Sequence, residues 1–281
     1  MCGICGCEQT ASGLGGYHTH DHVHNEVAEL CNTSGLPRTR MVQVEQDIMA
    51  ANQSYADANR TYFTERAIFV VNLLSSPGSG KTSLLVEAIS LLKTRFPVAV
   101  IEGDQQTSLD TARISATGVP AWQINTGKAC HLDAHTIGHA LEHLPAIDGG
   151  ILFIENVGNL VCPAGFDLGE AHKVVILSVT EGDDKPLKYP NIFHAADLLL
   201  LNKIDLLPYV RFDMNSAVEA ARQINPKIGV FAISALTGDG LGAWLEWMVA
   251  GLDHAKERRQ MALLARRAKL QHELDSIDLQ F

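Results

Sequence analysis

Asn72-Leu73-Leu74-Ser75-Ser76-Pro77-Gly78-Ser79-Gly80-Lys81-Thr82 decides how this chain folds. An apolar run, residues 68–74, leads into it, and a helical pattern, residues 83–95, leaves it. Strand, Gly-rich turn and helix in that order frame a phosphate-binding loop of the form G-x-x-x-x-G-K-S/T. Ser75 stands where the first glycine is usual, and the rest is intact. Gly78 and Gly80 allow backbone N–H groups around Ser79 to close on phosphate oxygens. The helix start at Thr82 and Ser83 adds the positive end of its dipole. Lys81 is placed to reach the β- and γ-phosphates, and the Thr82 hydroxyl to bind Mg²⁺. The bland alternative is a Gly-rich turn with no ligand. Lys-Thr at this spacing argues against it.

Outward from the loop, short apolar runs recur at residues 98–101, 121–124, 151–154, 174–179, 198–201 and 230–233. Most are apolar throughout, as parallel strands covered on both faces are. Helical stretches such as 214–223 fall between several of them. The expected fold is therefore α/β, a doubly wound, mostly parallel sheet with ligand loops at the strand C-termini. Before it, residues 40–66 carry spaced apolar positions (Met41, Val44, Ile48, Ala51, Tyr55) that predict an amphipathic helix packed on the domain. Residues 1–39, rich in Cys, Gly and His, read as a flexible metal-binding arm. Residues 253–281 read as a charged helix and tail, and a solvated helix is the expectation there. The predicted division is an arm at 1–39, a nucleotide-binding domain at 40–252 and the tail.

A phosphate loop does not choose a base. Asn202-Lys203-Ile204-Asp205 directly follows an apolar strand and matches N-K-x-D. An ionised Asp only accepts hydrogen bonds, so Asp205 suits the ring N–H and exocyclic amine of guanine. Adenine has no matching donor pair. Asn202 is placed to tie this loop to the phosphate loop, and the Lys203 stem to lie over the base. Further on, Ser234-Ala235 after another strand offers the Ala235 N–H to the guanine O6. Alone, N-K-x-D is a polar turn. Behind a phosphate loop and ahead of Ser-Ala it predicts GTP and GDP.

Two further loops are candidates for sensing the γ-phosphate, one following the run 98–101 and one following the run 151–154. Glu102-Gly103-Asp104 supplies Asp104 for the Mg²⁺ shell or for orienting water. Glu155-Asn156-Val157-Gly158 supplies the Glu155 carboxylate toward Mg²⁺ and the Gly158 N–H toward phosphate. Turn-forming and strand-end carboxylates are the plain alternatives. Lys81, Asp104 and Glu155 are thus the candidate catalytic residues.

Three of the six cysteines crowd into residues 2–7, too close to cross-link separate elements, and clustered thiols read as metal ligands or redox groups, metal being the expectation here. Cys2, Cys5 and Cys7 form C-x-x-C-G-C, able to wrap one soft or borderline ion: Ni²⁺ if planar, Zn²⁺ if tetrahedral. Cys130 and His131 follow one strand, and Cys162 lies four residues past Gly158. These are ligand types for Ni²⁺ or Zn²⁺. Buried free thiols are the competing reading, and the sequence leaves both open. Should they bind, nucleotide state could move a metal ligand. His18, His20, His22 and His24 form either a weak metal tract or a polar linker. His135, His139 and His143 read as helix-surface residues.

The net charge of −10 argues against nucleic acid or an anionic membrane as partner. No basic segment followed by an apolar one opens the chain, so a cytoplasmic location is expected.

Taken together, C-x-x-C-G-C, S-S-P-G-S-G-K-T, E-G-D, G-K-x-C-H-L-D-A, E-N-V-G-N-L-V-C-P, T-E-G-D-D-K-P and N-K-x-D resemble the hydrogenase maturation factor HypB family, from Cys2 to about Leu252. Ser75 and Glu155, departures from ordinary GTPases, are shared with that family. The resemblance implies GTP hydrolysis coupled to Ni²⁺ insertion into the large-subunit precursor of nickel–iron hydrogenase. It implies a nucleotide-dependent homodimer and a HypA-type metallochaperone as partner. It also assigns Cys2, Cys5 and Cys7 to a high-affinity nickel site, and Cys130, His131 and Cys162 to a Ni²⁺ or Zn²⁺ site in the nucleotide domain. The competing expectations are a non-enzymatic nickel buffer and a sister GTPase serving urease or a cobalamin enzyme.

Overall fold

The computed structural model describes residues 38–104, 109–127 and 129–278. Helix α1 (Arg38–Arg66) precedes strand β1 (Phe69–Ser75), then come α2 (Lys81–Leu92), β2 (Val98–Asp104), α3 (Leu109–Ser115), β3 (Ala121–Asn125) and α4 (Ala134–His143). After β4 (Ile151–Glu155) a 3₁₀ turn spans Cys162–Gly165. It leads to β5 (His172–Ser178), α5 (Lys185–Lys188), α6 (Pro190–Ala195) and β6 (Leu198–Asn202). A second 3₁₀ turn, Ile204–Tyr209, precedes α7 (Met214–Ile224), β7 (Gly229–Ala232) and α8 (Leu241–Asp278).

The strands form one parallel sheet in the order β3-β2-β4-β1-β5-β6-β7. All seven expected strands are present. Alternate residues of β1 feed opposite faces: Phe69, Val71 and Leu73 join one core with Leu84, Leu85, Trp244 and Met248, while Val70 and Leu74 face the other side. Every residue of β1 is buried, as a central strand covered on both faces must be. On one side of β1 the chain lays down β2 and then β3 at the edge and returns to insert β4 between β1 and β2; it then crosses to β5, β6 and β7 on the other side. The phosphate loop thus leaves β1 where the winding reverses, which is where open α/β sheets bind ligands.

Three sequence expectations differ in detail. The Glu102-Gly103-Asp104 segment completes β2 instead of forming a loop, because its backbone stays paired with β3, Glu102 to Gln123 and Asp104 to Asn125. Strand β5 begins at His172, where polar side chains are tied down by His172–Asp197 at 3.3 Å and Lys173–Glu170 at 2.7 Å. Helix α1 does form, but its buried face is Asn52, Ala56, Asn59 and Phe63. Ala51 and Tyr55 are exposed and Ile48 is half-buried, while the side chains of Met41 and Val44 lie outside the described residues. The seam is polar because it packs on main chain. The Ala134 N–H donates to Asn52 Oδ1 at 2.9 Å, and Asn52 Nδ2 donates to the Asp167 carbonyl at 2.7 Å. Asn59 Nδ2 donates to the Ala134 and Leu168 carbonyls at 2.8 and 3.1 Å. Asn59→Ala is therefore expected to cost about 1–3 kcal/mol of stability, the penalty for buried acceptors losing their donor, read as a lower denaturation midpoint.

Helix α8 buries Trp244, Met248, Leu252 and Ala255 at its start and runs unbroken past Asp253. Arg259 is still half-buried, and from Gln260 on the described side chains are exposed, Met261, Leu263, Leu264 and Leu270 among them. No described helix is long and apolar enough to cross a membrane.

Candidate functional site

The phosphate loop takes its shape from two glycines in the left-handed region, Gly78 at φ +77° and Gly80 at φ +89°. Gly80 caps α2, and a β-carbon there would lie 2.7 Å from Asn202 Nδ2. That close approach brings the loop after β6, residues 202–205, onto the phosphate loop. Asn202 Nδ2 donates to the Ser79 carbonyl at 2.9 Å, and Lys203 Nζ to the Gly78 carbonyl at 2.6 Å. Lys203 itself sits at φ +64°, a rare non-glycine left-handed residue that turns the chain out of β6. The Ala235 N–H donates to Asn202 Oδ1 at 3.3 Å, and Ser234 Oγ donates to Asp205 Oδ1 at 2.5 Å. Ser234 Oγ in turn accepts from the Leu236 and Thr237 N–H groups at 3.2 and 3.1 Å. Three segments far apart in sequence, 78–83, 202–205 and 234–235, thus meet at one end of the sheet.

On the other flank, Thr82 Oγ1 donates to Glu155 Oε1 at 2.7 Å, and Lys81 Nζ lies 3.8 Å from the same oxygen. Lys81 Nζ also donates to the Asn156 carbonyl. Glu155 is buried, which pushes its pKa up, against the opposing pull of Lys81 and the Thr82 hydroxyl. Its second oxygen, Oε2, is buried with no hydrogen-bond partner among the described residues. A hydroxyl and a carboxylate side by side, with one carboxylate oxygen unsatisfied, suit a hard divalent cation such as Mg²⁺.

Gly158 lies against the phosphate loop: a β-carbon there would come within 3.2 Å of the Pro77 nitrogen. Ser83 Oγ accepts from Arg113 Nη2 at 2.9 Å. Asp104 ends β2 two residues beyond Glu102, the register partner of Glu155, and its carbonyl accepts from the Thr126 N–H at 2.9 Å.

Cys130, His131 and Cys162 converge, their ligand atoms all within 4.8 Å of one another. Adjacent Cys and His side chains converge here because they precede α4 in irregular backbone, while Cys162 opens the 3₁₀ turn. Cys130 Sγ is 3.6 Å from His131 Nδ1, and Asn159 Nδ2 donates to the Cys130 carbonyl at 3.2 Å. The His131 ring packs against Phe166 at 4.0 Å between centroids. Asp133 is not a ligand in this arrangement. Its side chain caps α4 by accepting from the Thr136 N–H at 2.8 Å. Cys2, Cys5, Cys7 and the histidines at 18–24 lie outside the described residues.

Burial, with the neighbouring Cys162, pushes the Cys130 thiol up to about 11, and burial pulls His131 down. Near neutral pH His131 is therefore a ready neutral ligand, whereas Cys130 keeps its proton until a metal displaces it. Metal affinity at this trio is expected to rise with pH, by about tenfold per unit for the Cys130 proton alone below that pKa. Chelator competition at pH 6.5 and 7.5 checks it. Equal affinities at the two values would mean Cys130 is not a ligand.

Two contributors escaped the sequence reading. Lys185, after β5, places Nζ 3.4 Å from Ser76 Oγ while paired to Glu181 at 3.3 Å. A lysine just beyond a strand that neighbours β1 was the available signal. Asn156, fully buried, accepts from the Leu132 and Val157 N–H groups at 3.1 and 3.0 Å and donates to Asn72 Oδ1 at 3.3 Å. Nothing in a single sequence marks it apart from its neighbour Glu155.

Such a sheet, with this glycine loop leaving its central strand into a helix, defines a P-loop nucleotide-binding protein. Residues 69–232 match the family model described as CobW/HypB/UreG, nucleotide-binding domain. The chain is 64% identical over 214 residues to the hydrogenase maturation factor HypB of Azotobacter vinelandii, covering 76% of this chain and 71% of that one. Against HypB of Escherichia coli (strain K12) identity is 59%, covering 76% and 74%. The crystal structure of HypB from Helicobacter pylori in complex with nickel superposes with a TM-score of 0.69 at 37% identity, covering 73% of this chain and 96% of that one. The chain belongs to the hydrogenase maturation factor HypB family.

Proposed function

We propose that this chain is a GTP-hydrolysing nickel metallochaperone that delivers Ni²⁺ to the large-subunit precursor of nickel–iron hydrogenase, with nucleotide state gating the Cys130/His131/Cys162 site. The observation that carries this reading is continuity. The segment that supplies Glu155 beside Lys81 and Thr82 runs on, within seven residues, to Cys162 beside Cys130 and His131. A phosphate-sensing strand end and a metal ligand therefore share one short piece of backbone.

In the proposed reaction water attacks the γ-phosphorus of GTP, giving GDP and inorganic phosphate. Lys81 neutralises charge on the β- and γ-phosphates, and the Gly158 N–H donates to the γ-phosphate. Thr82 and Glu155, with Asp104 at the end of β2, would hold Mg²⁺, and that ion would supply positive charge to offset the charge of the phosphates. Asp205, held by Ser234, accepts from the guanine edge, Ala235 donates to its O6, and Asn202 fastens that reader to the phosphate loop. Nickel is cargo. The arm thiols Cys2, Cys5 and Cys7 are assigned high-affinity Ni²⁺, and the three-ligand trio Ni²⁺ or Zn²⁺, with a homodimer partner or a HypA-type metallochaperone able to approach its remaining side.

The test is reconstitution. Purified hydrogenase large-subunit precursor is incubated with the nickel-loaded protein and either GTP or a non-hydrolysable analogue, and nickel in the precursor is measured. Transfer should need GTP. Equal transfer with the analogue would sink hydrolysis as the gate, and transfer without any nucleotide would leave only a nickel buffer.

A further inference from the structure

Asn156 sits between the phosphate loop and the metal loop and is bonded to both. Its carbonyl accepts from Lys81 Nζ. Its side-chain oxygen accepts from the Leu132 N–H at 3.1 Å and its own neighbour's, Val157, at 3.0 Å. Its side-chain nitrogen donates to Asn72 Oδ1 at 3.3 Å, and Asn72 Nδ2 donates to Glu170 Oε1 at 3.0 Å. Glu170 is pinned by Lys173 at 2.7 Å and by the Leu168 N–H at 2.6 Å. This buried chain of polar groups has one fixed end, Glu170 with Lys173. Its other end, Leu132, directly follows Cys130-His131. The Leu132 side chain packs over Gly103 of β2, filling the space a β-carbon would take there. Three residues past Asn156, Asn159 makes a second tie to the Cys130 carbonyl at 3.2 Å.

The competition at Lys81 gives this arrangement a direction. The Asn156 carbonyl is a neutral acceptor, and a phosphate in the loop is an anionic one, so the ammonium is drawn toward the phosphate. That would loosen the 156–157 peptide, and through the Asn156 carboxamide the change would reach the Leu132 N–H. Proteins transmit such changes where packed polar groups have two arrangements that both sites bias.

We propose that Asn156 is the positioning residue through which nucleotide occupancy reaches the metal loop, with Asn159 as a weaker second tie. The proposal rests on the nucleotide-gated reading above. It concerns how the gate is wired.

The experiment uses the full chain with Cys2, Cys5 and Cys7 replaced by serine, so that the arm does not compete. Ni²⁺ alone is titrated, and thiolate-to-nickel charge-transfer absorption is read with GDP or a non-hydrolysable GTP analogue bound. The parent is expected to show an affinity ratio between the two nucleotide forms of at least about fivefold, the lower end of ordinary coupling. Asn156→Ala should bring the ratio to within about twofold of unity while both forms still bind Ni²⁺ and GDP. Asn159→Ala should fall between the two. A merely structural role for Asn156 would weaken nickel binding equally in both forms and keep the ratio, which overturns the proposal. Should Asn156→Ala fail to bind GDP, the milder Asn159→Ala decides, and an unchanged ratio there overturns the proposal as well. A parent with no ratio at all would instead sink the gated reading itself.

Discussion

Lys81→Ala is expected to lower GTP turnover about 10²- to 10³-fold, the usual loss when one preorganised donor to a developing anion is removed. The structure places the reason around one ammonium group. Lys81 Nζ lies 3.8 Å from Glu155 Oε1 and donates to the Asn156 carbonyl, so it holds the phosphate loop to the segment after β4, beside the role proposed for it on phosphate. Its removal also strips the buried Glu155 of its nearest cation, which should raise the Glu155 pKa further and weaken the carboxylate proposed for Mg²⁺. Lys81→Arg should not rescue, because a planar fork cannot replace a compact ammonium in a loop shaped by Gly78 and Gly80. The nickel binding proposed for Cys2, Cys5 and Cys7 should be unaffected. A steady-state phosphate-release assay beside a nickel titration separates the two effects. Hydrolysis at the parental rate in Lys81→Ala would mean that the phosphate site is assigned to the wrong residues.

The sheet was legible because parallel strands buried on both faces are written as apolar runs. Leu198–Asn202 and Ile151–Glu155 are fully buried and read that way. The nucleotide loops were legible for a different reason. Gly80 must be glycine for its backbone angle and its contact with Asn202, and Lys-Thr must follow it, so chemistry and geometry leave the same short signature. Helix α1 shows where this logic ends. Its seam is made by Asn52 and Asn59, which are buried because they satisfy the main chain around Ala134, Asp167 and Leu168. Hydrophobic periodicity registers Ala51 and Tyr55 instead, one position before the residues that pack. Asn156 was hidden in the same way. A buried amide that joins backbone groups from different loops has no local pattern, since its partners at Leu132 and Asn72 are brought to it only by the fold. The trio of Cys130, His131 and Cys162 was legible as ligand types. Their convergence depends on the irregular backbone before α4, which no spacing rule states.

Asp205→Asn is expected to weaken selection for guanine on the order of 10³-fold and to transfer it to xanthine. Sites built to hydrogen-bond a substrate discriminate by such factors because a mismatched partner leaves buried polar groups unpaired. In the proposed site the Asp205 carboxylate, an acceptor at both oxygens, would match the N–H and the amine of the guanine edge. Ser234 Oγ donates to Oδ1 at 2.5 Å and is itself fixed by the Leu236 and Thr237 N–H groups. In the Asn variant the same hydroxyl can still donate to the side-chain carbonyl, so the loop keeps its shape. That contact also orients the new NH₂ group, a donor, toward the base. Guanine then meets donor with donor. Xanthine, which carries a carbonyl in place of the guanine amine, supplies the acceptor. The measurement is kcat/KM for GTP and XTP in the parent and in Asp205→Asn. A gain with XTP shows that the variant is folded and that the loss with GTP is recognition. Unchanged GTP turnover would remove Asp205 from the base site, and with it the choice of guanine. A loss with both nucleotides would mean that Asp205 holds the loop rather than reads the base.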